Sequence, residues 1–129
     1  MRNHESLQSG IGDRLNQLAQ LRDGWLDGDG KAPDPANLMR LYQAFRENFD
    51  KSLPIPSLYP TPTGGVQAEW SLNEWEVSLE IEISSLRAEF EALKVSPGIF
   101  QDSVNQLDLA NSSGWHFLNK MLKSLAAKQ

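Results

Sequence analysis

Val66-Gln67-Ala68-Glu69-Trp70-Ser71-Leu72 alternates apolar and polar residues, and Trp75-Glu76-Val77-Ser78-Leu79-Glu80-Ile81-Glu82-Ile83 does so for nine residues. Ala88-Glu89-Phe90-Glu91-Ala92 continues the pattern. A period of two over such lengths marks strands with one buried face. Aromatic and β-branched residues fill many of the apolar positions, which suits a pleated surface. Gly64 to Leu93 therefore reads as three consecutive antiparallel strands, apolar on one side and acidic on the other. Arg87 to Val95 also admits a helix, because Ala, Glu and Leu favour one. The alternation and the short preceding link favour strand.

Keeping the apolar positions on one face sets the register. With Asn73 and Glu74 as the first loop, Leu72 faces Trp75 and Trp70 faces Val77. With Ser85 and Leu86 as the second, Ile83 faces Ala88 and Ile81 faces Phe90. That second register sets Glu82 opposite Glu89 and Glu80 opposite Glu91, like charges that weaken a ladder. Neither loop has the Asn-Gly or Asp-Gly signature of a tight hairpin, which leaves room for a shift of one or two residues.

The acidity is local. Residues 64–93 carry seven glutamates and one arginine, a net of −6, whereas the rest of the chain nets +1. The plainer reading is a solvated outer face that discourages edge pairing. The sharper one is a docking surface for a basic partner, with Glu69, Glu80, Glu82, Glu89 and Glu91 as its residues, since complementary potentials steer association. A cation site is the weakest of the three, because side chains on a flat sheet rarely converge into six ligands.

Working outward, Leu7, Ile11, Leu15, Leu18 and Arg22 fall on one helical stripe, which predicts a first helix from Glu5 to Arg22. A glycine-rich loop follows, with Asp27-Gly28-Asp29-Gly30 in it. As a calcium loop beginning at Asp27 it fails: Lys31, Ala32 and Leu38 stand where an oxygen ligand, a glycine and a glutamate are needed. A structural turn that buries Trp25 is expected instead. Asp34-Pro35 starts a second helix, an acidic cap before proline at the first helical position. Leu38, Leu41, Tyr42, Phe45 and Phe49 form its stripe, and it should end near Lys51. Leu53 to Pro62 holds four prolines, so it is a rigid connector or an edge strand. Proline-rich segments also dock in aromatic grooves, but a connector between two elements needs no such role.

Beyond the three strands, Ser96-Pro97-Gly98 breaks the chain, and Val104 to Leu109 suggests a short last strand. Asn111-Ser112-Ser113 offers helix caps. Trp115, Leu118, Leu122 and Leu125 make the seam of a final helix, with Lys120, Lys123 and Lys128 towards its C-terminus. The expected fold is an α+β domain spanning 1–129, with residues 1–6 frayed. Its antiparallel sheet has four or five strands and about three helices on one face, in the order ααββββα or ααβββββα.

Three pieces taken together resemble a group of small uncharacterised bacterial proteins: Gly24-Trp25-Leu26-Asp27-Gly28, Pro60-Thr61-Pro62-Thr63-Gly64-Gly65-Val66-Gln67-Ala68-Glu69-Trp70, and Glu76-Val77-Ser78-Leu79-Glu80-Ile81. The likeness covers roughly residues 20–127, judged by motif order. It implies a bacterial, single-domain protein and carries over no site residue or activity.

Composition bounds the function further. An apolar content of 40% with 22% charged residues is that of an ordinary globular chain, and 129 residues suffice for a core. No apolar run approaches a membrane span, and Met1 to Gly10 lacks the apolar core of a signal peptide, so a cytoplasmic protein is expected. With no cysteine there is no thiol nucleophile and no cysteine metal site. A pI near 4.9 argues against nucleic acid, whose phosphates need clustered Lys and Arg. His4 and His116 have no second histidine nearby for zinc. No nucleophile elbow or phosphate-binding loop occurs. The expectation is therefore a non-enzymatic interaction protein that docks a basic protein or a second copy, with no cofactor, metal or catalytic residue. The alternative is a hydrolase or metal-dependent enzyme using the sheet carboxylates, which requires a cleft to shift a pKa.

Overall fold

The computed structural model describes residues 3–95 and 102–127. Among these, the helices are α1 (Asn3–Leu18), α2 (Pro35–Asn48) and α3 (Ser112–Ala127). The strands are β1 (Ser57–Pro60), β2 (Val66–Leu72), β3 (Trp75–Glu82), β4 (Arg87–Lys94) and β5 (Asp102–Asp108). The order is ααβββββα, and the strands form one antiparallel meander, β1-β2-β3-β4-β5. The α+β expectation holds, and Arg87–Lys94 is a strand.

Side chains explain the element ends. Asp34 caps α2 by accepting from Asn37 N–H at 3.1 Å, with Pro35 in the first turn. The helix stops at Asn48 rather than Lys51, since Phe49 already takes an extended conformation. Asn119 of α3 clamps that end: its amide donates to the Asn48 carbonyl (2.9 Å), and its oxygen accepts from Asp50 N–H (3.1 Å). Asp50 also pairs with Lys123 and accepts from the Ser52 hydroxyl and N–H. First α1 begins and ends earlier than the stripe suggested, at Asn3 and Leu18, leaving Arg22 outside. The proline-rich connector contains an edge strand, β1, and the last strand is longer than expected. Ser96-Pro97-Gly98 and Lys128 lie outside the described residues.

The glycine-rich loop is a miniature hairpin. Leu26 N–H and Asp29 N–H donate to each other's carbonyls at 2.7 and 2.9 Å. Asp27 and Gly28 between them have φ of 50° and 95°. Two positive φ values make a type I′ turn, the geometry that Asp-Gly favours. Trp25 is half-buried rather than buried. Its indole covers Gly30 and donates to the Lys31 carbonyl at 2.9 Å. Lys31 N–H donates to Pro62 O at 2.8 Å, which docks the hairpin against the start of the sheet.

The β2–β3 register is the expected one, with Leu72 opposite Trp75 and Trp70 opposite Val77. The β3–β4 register is shifted by two residues: Ile81 faces Ala88 and Leu79 faces Phe90. The loop is four residues, Ile83 to Leu86, rather than two. Leu86 N–H closes it onto Glu82 O at 2.7 Å, with Leu86 at φ 64°. The longer loop keeps both Ile83 and Leu86 in the core. A two-residue shift leaves each side chain on its own face, because the period is two.

The helices cover one sheet face. There α1 meets β1, α3 meets β2 and β5, and α2 packs on both helices. Leu79 and Phe90 are 2% and 0% exposed. Phe49 stacks over Trp70 with centroids 6.2 Å apart, and Phe45 meets the edge of Trp115 at 5.6 Å. Those ring geometries add to plain area burial. The indoles are satisfied: Trp70 donates to Pro54 O (2.9 Å) and Trp115 to Leu109 O (2.8 Å).

Candidate functional site

Alternation that sends Val77, Leu79 and Ile81 under the helices sends Glu76, Glu80 and Glu82 the other way. On β4 the same rule exposes Arg87, Glu89 and Glu91. The registers assemble these into cross-strand rows. One runs Tyr59–Gln67–Glu80–Glu89–Gln106, the next Ser57–Glu69–Ser78–Glu91–Val104. A shorter row at the hairpin end is Glu82–Arg87–Asp108.

All five expected residues therefore share one face, but their pairing differs from the expectation. Glu80 faces Glu89, Glu82 faces Arg87, and Glu91 faces Ser78. The expected Glu82–Glu89 and Glu80–Glu91 pairs do not form, because of the four-residue loop. Arg87 stands opposite Glu82 without an ion pair; among the described residues the ion pairs given by side chains are Lys94–Glu74 and Lys123–Asp50, neither on this face. Glu69 accepts from the Gln67 amide (2.6 Å), Glu76 from Ser71 (2.9 Å) and Glu82 from Ser85 (2.5 Å). These contacts hold individual carboxylates but bring no positive charge. The face is predominantly acidic, with Arg87 at its hairpin end and a directly opposed Glu80–Glu89 pair at its centre.

Sequence reasoning missed several members. Glu76 is in phase with Glu80 and Glu82, so the alternation itself contained the signal. Tyr59 and Val104 lie on the same face at its two edges, 45% and 53% exposed. Their phase depends on the β1–β2 and β4–β5 registers, which the proline-rich stretch and the break after β4 concealed.

At the hairpin end the face runs into an open cleft of about 700 Å³. Glu80, Glu82 and Glu89 line it on the sheet side, with Arg87 beside them. Lys31, Asn37, Thr61 and Thr63 line it opposite. Gly65 lets the floor close tightly, since a Cβ there would stand 2.5 Å from Ile81 O. Glu69 and Glu91 lie outside the cleft. Among the described residues no three His, Cys, Asp or Glu side chains group as a metal ion would require. His116 is exposed on α3, away from the face. No described helix is long and apolar enough to cross a membrane. No family model, curated protein or solved structure matches the chain.

Proposed function

We propose that the protein is a bacterial, cytoplasmic interaction factor without enzymatic activity, and that its acidic sheet face docks a basic protein. One observation carries this reading: a five-strand face with an in-register Glu80–Glu89 pair and no ion pair among the described residues. Like charges opposed on a ladder cost stability, and a basic partner would turn that cost into attraction. A second copy is a poorer occupant. Two sheet faces related by a two-fold axis would set glutamates against glutamates, and on α3 Lys123 is already held by Asp50.

The experiment compares two baits in lysate of the native host: the wild-type chain, and one with Glu80, Glu89 and Glu91 all changed to Gln. Proteins of high pI retained at about 0.05 M salt by the first bait alone, and released at about 0.5 M, fit the reading. Identical captures by both baits, with a monomer in sedimentation at both salts, would leave only a solubility role for the face.

The cleft favours a second reading, a hydrolase or metal-dependent enzyme using Glu80, Glu82 and Glu89. Its open form on a strand face argues against this, because acid–base work by a carboxyl needs an environment that shifts its pKa. Turnover of an ester, phosphate or glycoside substrate, with or without Mg²⁺, and its loss in Glu80→Gln would replace the docking reading.

A further inference from the structure

The two edges of the sheet differ in what their backbones offer. At β1, Thr61 N–H donates to Gly65 O (3.1 Å), which continues the β1–β2 register by one pair. Hydrogen-bonded pairs alternate along an antiparallel ladder, so Tyr59 and Ser57 point their backbone groups at β2, while Leu58 and Pro60 point theirs outward. Both outward positions are blunted. Pro60 has no N–H, and the Leu58 carbonyl accepts from Arg14 Nε of α1 at 2.9 Å. Proline and a covering helix are how native sheets close an edge.

At β5 the same logic gives the opposite result. Leu109 N–H donates to Leu86 O (2.8 Å), one pair beyond Arg87–Asp108. Leu107 and Asn105 therefore address β4, and Val104, Gln106 and Asp108 point outward. The Asp108 carbonyl is used by Asn111 N–H (3.3 Å) where the chain turns into α3. No described residue pairs with the backbone N–H and C=O of Val104 and Gln106. This edge carries no proline and no lysine.

The surroundings specify what would pair there. On the outer side, Glu91 and Glu89 stand next to Val104 and Gln106 in the rows, both without an ion pair among the described residues. A strand added at β5 would lie two strand spacings, roughly 10 Å, from β4. Lysine or arginine side chains on it span that gap to the carboxylates. On the inner side, a shallow groove of about 230 Å³ lies between β5 and the start of α3, lined by Leu107, Gly114 and Phe117. Phe117 is 36% exposed there, and a small apolar side chain would cover it.

We infer that β5 is extended by a strand from the partner, in which basic residues facing Glu89 and Glu91 alternate with apolar residues facing Phe117. This deepens the docking reading above and rests on it. Main-chain bonds would supply affinity and alternate side chains specificity, as in strand addition generally.

The test uses a labelled ten-residue peptide alternating lysine and valine, titrated by fluorescence anisotropy at about 0.05 M salt. The Gln106→Pro protein removes an outward N–H without touching the β4 ladder, and should bind roughly tenfold more weakly. Two peptides probe the wild-type protein directly, one N-methylated at its lysines and one at its valines. In an antiparallel addition the residues opposite Val104 and Gln106 are the lysines, so lysine N-methylation abolishes binding and valine N-methylation does not. In a parallel addition the pattern reverses. Binding that ignores both methylations and Gln106→Pro, yet falls on Glu89→Gln with Glu91→Gln, overturns the edge inference and leaves face docking intact. No binding to the wild type also overturns it, and the two-bait comparison then decides the docking reading separately.

Discussion

On the inner face of β3, Val77, Leu79 and Ile81 are buried, while Glu76, Glu80 and Glu82 on the outer face of the same strand are exposed. Both faces come from one alternation, yet different physics governs them. Inside, each side chain has a packed neighbour: Leu79 faces Phe90, and Phe49 stacks on Trp70. Outside, Glu80 faces Glu89, and neither is in an ion pair among the described residues. Packing chose the inner residues. Stability alone does not account for the outer ones, because neutral side chains would pair better on a ladder.

The comparison can be broken most directly from the inside. Leu79→Ala should lose about 2–5 kcal/mol in urea unfolding, the range for a buried leucine that leaves a cavity. A loss below about 1 kcal/mol would mean the inner face tolerates collapse and is no more specified than the outer. One step smaller is the clamp that seats the helices on that face. Asn119→Ala removes a bond to Asn48 O and another from Asp50 N–H. The expected loss is about 1–3 kcal/mol by the same measurement, two bonds at their usual net worth. An unchanged midpoint would show that packing and the Asp50–Lys123 pair hold α2 against α3 without the Asn119 bonds.

Acid offers a third handle. The bond to Lys123, followed by those to Ser52, holds the Asp50 carboxyl well below its usual value of 3.8. A pKa depressed by folding gives stability that is complete above 3.8 and is lost as pH falls through the folded value. Asp50→Asn should therefore melt below the wild type at neutral pH, with the gap closing in steps taken below pH 3.8. A gap that persists through that range would assign its cause to geometry rather than charge.

The smallest effects separate neighbours on the outer face. Glu80→Gln relieves the opposition to Glu89 and should stabilise by a few tenths of a kcal/mol, up to ~1. Glu82→Gln removes an attraction to Arg87 and should give no gain. Equal gains from both would mean the face responds to net charge and not to register. Thermal midpoints at low salt, where screening is weakest, give the cleanest reading.

Faces were legible in the sequence because a period of two survives any even shift of register. Glu69, Glu80, Glu82, Glu89 and Glu91 were placed on one surface while two of their pairings were wrong. The pairings depended on loop length, and Ser85-Leu86 carries no turn signature, although Leu86 takes a positive φ to keep its side chain buried. The Asp27-Gly28 hairpin had its signature in plain view, hidden by the calcium-like look of the surrounding aspartates. Tyr59 and Val104 needed the outer registers, and the cleft needed three segments brought together: the loop at Lys31, the turn at Thr61 to Gly65 and the β3–β4 loop.

Strand order equals chain order throughout this sheet. Every ladder is therefore closed by a neighbouring segment, with no strand waiting for a partner from the far end of the chain. Each hairpin closes on the scale of ~1–10 μs, and topologies rich in near-neighbour contacts fold faster than crossed ones of equal stability. The meander can grow strand by strand from β3. That growth would bring the opposed glutamates together early, before the helices have covered the other side. Repulsion between Glu80 and Glu89 would then act on the folding rate as well as on the finished protein, and Glu80→Gln should speed refolding in proportion to how far the β3–β4 pair is formed in the transition state.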